Sequence, residues 1–140
     1  MNVYAKSALL GATTGLRGTA GPFAARWSET GSVPMRSALT LSGEMVADKM
    51  PFVGNRTRPR SLLIRSAAAI YAVKLSSKRA NFGAFALAAA TAIGVSFLAE
   101  RTRMALAERL KIPQQVIGIA EDALVAGLAF AVSRWAKPED

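Results

Sequence analysis

The 140-residue chain contains neither cysteine nor histidine. That excludes disulfides, thiol nucleophiles, imidazole proton shuttles, and zinc or haem sites built on sulfur or imidazole. Acid is scarce too: nine Asp and Glu stand against 18 Lys and Arg, a formal net charge of +9. Aromatics make up 7% of residues and charged residues 19%, below the roughly one quarter charged that soluble domains carry. Alanine, glycine and aliphatics fill the space, with 51% of the chain hydrophobic. That composition suits a helical membrane bundle packed through small side chains; a soluble alanine-rich bundle is the competing reading. At this length the chain is one domain, residues 1–140.

So basic a chain first suggests nucleic acid. The cations, however, do not line a recognition helix or alternate with exposed aromatics. They cluster between apolar runs: Arg56, Arg58 and Arg60; Lys74, Lys78 and Arg79; Arg101, Arg103, Arg109 and Lys111. Cations flanking hydrophobic segments are what the positive-inside rule and anionic headgroups favour, so the expected partner is a lipid bilayer and not nucleic acid. Lys6 precedes the first apolar run, but Arg17 interrupts it, so no cleaved signal peptide is expected.

Five apolar stretches can be marked. They run over about 3–25 (containing Arg17), 37–50 (Glu44, Asp48 and Lys49), 62–75 (Arg65), 82–99 (no charge) and 116–135 (Glu121 and Asp122). Only the fourth passes a strict spanning test; the others read as broken, interior-facing or partly re-entrant helices, and the second could also lie on the membrane surface. Gly31 to Pro34, Pro51 to Arg60 and Lys111 to Pro113 mark the breaks. Residues 100–111, mixing Arg101, Arg103, Glu108 and Arg109 with Met104, Leu106 and Leu110, extend the fourth helix out of the bilayer or into its interface, or equally form an ordinary solvated face. The expected fold is therefore all-α, a small polytopic bundle of four to five short or broken helices. Comparing residue i with i+77 places Ala12-Thr13-Thr14-Gly15-Leu16 on Ala89-Ala90-Thr91-Ala92-Ile93 and Glu44 on Glu121. Two pseudo-repeats, 1–60 and 78–140, are one reading; chance matching of alanine-rich sequence is the other.

Three constellations carry the polar chemistry. Gly11, Gly15, Gly18 and Gly21 form a small surface for close helix packing, with Pro22 expected to kink or end the helix. Within it, Arg17 needs an acid, carbonyls or water. Glu44 and Asp48, four apart, project from one helix face beside Lys49 and require a cation, a proton or water between them; Arg17, Lys49 or Arg65 could serve. Glu121 and Asp122 point about 100° apart, so they face different partners, and the match to Glu44 favours Glu121 as the inward one. Each has a bland reading as close packing or a structural ion-pair network. No phosphate loop, metal motif or nucleophile–base pair accompanies them, so neither an enzyme, a cofactor nor a metal site is expected.

Gly15-Leu16-Arg17 followed by Gly21-Pro22, the run Glu44-x-x-x-Asp48-Lys49-x-Pro51, and Ala120-Glu121-Asp122 together resemble uncharacterised bacterial membrane proteins, the domain-of-unknown-function family 4126. The arginine-rich loop at 56–60 adds to the resemblance, which spans about 11–129. It implies a multi-pass protein of the bacterial inner membrane with no assigned activity. Two functions remain open, with a lipid-modifying enzyme as a distant third. One is an oligomeric membrane protein that binds or moves a small polar or ionic solute through Arg17, Glu44, Asp48, Lys49, Glu121 and Asp122. The other is a structural or partner-docking membrane module.

Overall fold

A computed structural model describes residues 2–47 and 57–135. Asp48 and Lys49 lie outside the described residues. The described residues form six helices: α1 Val3–Leu16, α2 Ala20–Thr30, α3 Met35–Ala47, α4 Pro59–Ser76, α5 Phe82–Leu110 and α6 Gln114–Trp135. The count exceeds the expected four to five because the first apolar stretch is two helices. Its break falls at 17–19, ahead of Pro22, which does not end a helix but sits in the first turn of α2. The reason is local. Proline lacks an N–H and its ring crowds the carbonyl four residues back, so it is tolerated only where first-turn amides are free anyway. A helix containing Pro22 must therefore begin just upstream, at the Thr19 cap. On the other side, Thr13 and Thr14 bond the Leu10 carbonyl at 2.9 and 2.6 Å, and such back-bonding loosens the last turn of α1. Arg17 then takes an extended backbone, φ −142° and ψ 125°.

The other ends are also set by local chemistry. The Asn2 side chain accepts from the Tyr4 amide at 3.0 Å and Asn81 from the Ala84 amide at 3.0 Å, capping α1 and α5. Pro59 opens α4, where its missing donor costs nothing. Gly31 closes α2 at φ 69°, a left-handed position that suits a residue without a Cβ.

Contacts give the directions. α1 and α5 run side by side the same way: Asn81 donates to the Tyr4 hydroxyl at 3.1 Å, Gly11 faces Ala88, and Gly15 faces Ala92. Each of these is an i, i+77 pair. α4 runs opposite to α1, with Arg65 beside Gly15 and Ser76 beside Lys6. α2 turns back along α1, so that Gly21 meets Thr14 and the Leu10 carbonyl. α6 follows α2, pairing Asp122 with Arg17 and Phe130 with Trp27, whose rings lie 5.7 Å apart. Thus α1 and α2 form a helical hairpin with its tip at 17–19, gripped by α4, α5 and α6.

The core is built of small residues. Ala20, Ala24, Ala25, Ala69, Ala72, Ala84, Ala88, Ala92 and Ala129 are buried, joined by few larger side chains such as Leu10, Phe23, Val73 and Val125. Small side chains let backbones approach closely, so dispersion contacts accumulate over the whole helix length. α3 is the exception: Leu41 is its one buried residue. α5 and α6 are both long and apolar enough to cross a membrane, about 43 and 33 Å at helical rise.

The α1–α5 contact makes a direct prediction. A Cβ at Gly11 would lie 2.4 Å from the Ala88 carbonyl oxygen, and one at Gly15 would lie 2.6 Å from that of Ala92. Backbone cannot yield cheaply, so Gly11→Val or Gly15→Val should destabilise by about 3 kcal/mol or more. Gly94→Ala, where an added Cβ meets nothing within 4 Å, should be neutral or slightly stabilising, by up to about 1 kcal/mol. Unfolding of the detergent-purified variants measures both.

Candidate functional site

The hairpin tip exposes two helix ends to each other. The last carbonyls of α1 carry partial negative charge and the first amides of α2 partial positive charge, and neither set has a partner within its own helix. Side chains from three other elements meet these groups. Arg65 of α4, buried, donates from Nη1 to the Gly15 carbonyl at 2.7 Å and to the Thr14 carbonyl at 3.4 Å. Ser96 of α5 donates to the same Gly15 carbonyl at 3.0 Å. Glu44 of α3 accepts from the Gly18 amide at 2.8 Å, the Thr19 amide at 2.9 Å and the Thr19 hydroxyl at 2.6 Å. The Arg65 guanidinium stands 3.8 Å from the Glu44 carboxylate, joining the two halves of the tip.

Arg17, between the two helices, is wholly buried and turns the other way. Its Nε donates to Asp122 Oδ1 at 2.9 Å and its Nη2 bonds the same oxygen. Fork-like pairing to one carboxylate holds α6 against the tip. Two guanidinium groups and two carboxylates therefore sum to zero charge around the break. An uncompensated charge there would carry a desolvation cost of several kcal/mol per ion, so neutrality is a condition of stability.

Above the tip, toward the C-terminal end of α5, Arg103 lies 4.0 Å from Glu121. These two residues belong to a groove of about 340 Å³ between α5 and α6, floored by Leu16. Arg17 and Glu44 are not among its lining residues.

The candidates from sequence thus fall into separate places. Arg17, Glu44 and Asp122 meet at the tip; Glu121 lies in the groove; Asp48 and Lys49 are outside the described residues. Glu121 and Asp122 are both largely buried and face different partners, Asp122 toward Arg17 and Glu121 toward Arg103 of α5, as the 100° step between neighbours requires. Gly18 borders Glu44, where a Cβ would lie 3.3 Å from Oε1, so this glycine keeps room for the carboxylate. Sequence reasoning named Arg65 only as a source of countercharge and missed Thr19, Ser96 and Lys6. Lys6 is buried and donates to the Ser76 carbonyl at 2.6 Å, at the C-terminal end of α4, where a cation is favoured. A lysine one turn into an apolar run was the available signal. Ser96 carried none. Among the described residues no cluster of three acids is placed to hold a metal ion.

No family model, no curated protein and no solved structure matches the chain. The site is thus read from its own chemistry.

The Arg17–Asp122 pair is testable by a mutant cycle. Arg17→Met or Asp122→Asn alone should cost about 3–5 kcal/mol, since each strands a buried partner. The double variant Arg17→Met with Asp122→Leu should regain most of that loss. Reversible unfolding in detergent reads the coupling; purely additive losses would show that the pair does not anchor α6.

Proposed function

We propose that the chain is a multi-pass protein of the bacterial inner membrane that binds, and by exchange moves, a small anionic or polar solute at the hairpin tip. Membrane residence is supported by α5 and α6. Only 22% and 28% of the residues in their apolar windows are buried, leaving the rest, among them Phe97, Leu98, Ile119 and Leu124, to meet lipid. A soluble core helix would be mostly covered. α1, about 21 Å long, is too short to cross by itself, which fits a broken end at membrane depth, where irregular backbone is tolerated only when protein covers it or it lines a cavity. Exposed apolar faces on α5 and α6 fit self-association in the same reading.

The observation that carries solute binding is the position of Glu44. Its carboxylate sits on two backbone amides, a hydroxyl and the edge of a guanidinium, the donor set that a solute carboxylate or phosphate would use. Yet it is delivered by the most weakly packed helix, anchored by Leu41 alone among its buried residues. Glu44 is thus a tethered anion that a free one can replace when α3 lifts. The second reading, a structural module, is favoured by the completeness of the network. All four tip charges are partnered, and such a lattice holds helices together with no solute.

Anion binding separates the two. Charge-assisted bonds such as those of Glu44 contribute about 1.5–3 kcal/mol each, so Glu44→Gln should weaken the latch and tighten anion binding by at least about tenfold. Thermal shifts of purified chain with acetate or phosphate would measure this, with anion flux in proteoliposomes as the functional readout. A lowered melting point in Glu44→Gln, with no response to either anion in the native chain or the variant, would leave the structural module standing and end the solute reading.

A further inference from the structure

The groove between α5 and α6 is separate from the tip and needs its own account. Its walls are one face of each helix: Val95, Leu98, Thr102 and Leu106 on α5, and Ile117 and Leu124 on α6, at spacings of three, four and seven. The two helices are joined by a short turn yet barely touch, because α6 packs chiefly on α2. They splay, and the slot between them is apolar. At about 340 Å³ it lies near the lower end of small-ligand sites, room for one chain and not for a helix.

Its polar features are unevenly placed. Arg103 and Glu121 in the wall oppose each other at 4.0 Å and cancel. One turn past Leu106 on the same α5 face comes Arg109, and Lys111 follows at the end of the helix, both exposed. Glu100, Arg101 and Glu108 fall well round the helix from this face, so the groove's end is basic. An apolar slot ending in cations matches an anionic amphiphile: tail within, headgroup at the rim.

We infer that this groove holds one acyl chain of an anionic phospholipid, with its phosphate at the level of Arg109 and Lys111. The inference rests on the membrane residence proposed above. It is independent of the tip chemistry, since neither Glu44 nor Arg65 lines the groove.

Native mass spectrometry of the detergent-purified full chain tests it, with phosphatidylglycerol and phosphatidylcholine of identical chains supplied at equal concentration. Retention of phosphatidylglycerol should exceed that of phosphatidylcholine by about fivefold for each headgroup cation engaged. Ala120 lines the groove and is exposed, so Ala120→Trp should fill the slot without disturbing the core and abolish the adduct. Ala99→Phe on the opposite wall is the second filling variant. Arg109→Gln should keep the adduct but cut the preference about fivefold, and Arg109→Gln combined with Lys111→Gln should level the two lipids. Glu44→Gln should retain lipid like the native chain even if solute binding at the tip fails, which separates the two proposals. Equal retention of both lipids by the native chain would overturn the inference, as would full retention by both filling variants. Displacement of the lipid by millimolar inorganic phosphate would do so too, since charge alone would then explain it. Loss of a dimer in Ala120→Trp, with no lipid adduct in the native chain, would reassign the groove to a second copy of the chain.

Discussion

Compensation of charge at a broken helix organises this protein. Interrupting a helix inside an apolar bundle exposes carbonyls on one side and amides on the other, and burial withholds the water that would satisfy them. Here Arg65 and Ser96 answer the carbonyls while Glu44 answers the amides. Arg65 also faces Glu44, so the sequence of charges runs from helix end to cation to anion to helix end. Arg17 adds a second cation and takes Asp122 with it. Each helix that contributes a side chain is thereby held at one height against the tip.

The close packing of α1 on α5 makes that arrangement reachable. Gly11 and Gly15 bring the α1 backbone against the carbonyls of Ala88 and Ala92. With larger side chains there, α5 would stand too far off for Ser96 to reach Gly15. Gly21 plays the same part within the hairpin, where a Cβ would collide with the Thr14 hydroxyl. α3 stands outside this scheme. It buries one side chain and is tied to the bundle by its carboxylate, so its attachment is polar where every other helix is attached by packing. Polar attachment can be exchanged for another polar ligand in a way that packing cannot. That difference is the physical basis for proposing solute binding at the tip.

Much of the helical pattern was legible along the chain. Uninterrupted apolar residues announced α5, and Lys111 to Pro113 and Gly31 to Pro34 marked boundaries, whereas Pro59, read as part of a break, opens α4. One detail was misread. Pro22 looked like a kink or the end of a helix when it requires a beginning, because the rule that forbids proline in a helix interior permits it in the first turn. Glu121 and Asp122 were both visible as acids facing different partners, but which partner each takes depends on helix phase. Arg65 and Lys6 were visible as cations in apolar runs, whereas Ser96, one hydroxyl in an alanine-rich helix, had nothing to distinguish it.

From sequence alone came the class of structure and the inventory of its problem: alanine-rich helices, one clean span, and a small set of ions embedded in apolar stretches. Those follow from local propensity and hydrophobic period, which depend on near neighbours. Partnership came only from the fold. Arg17 and Asp122 are separated by 105 positions and Arg65 and Gly15 by 50. Which cation meets which anion depends on helix direction, rotation and height, and one residue of rotation turns a carboxylate by about 100°. Packing against distant helices sets those three quantities, so only the assembled bundle could decide them.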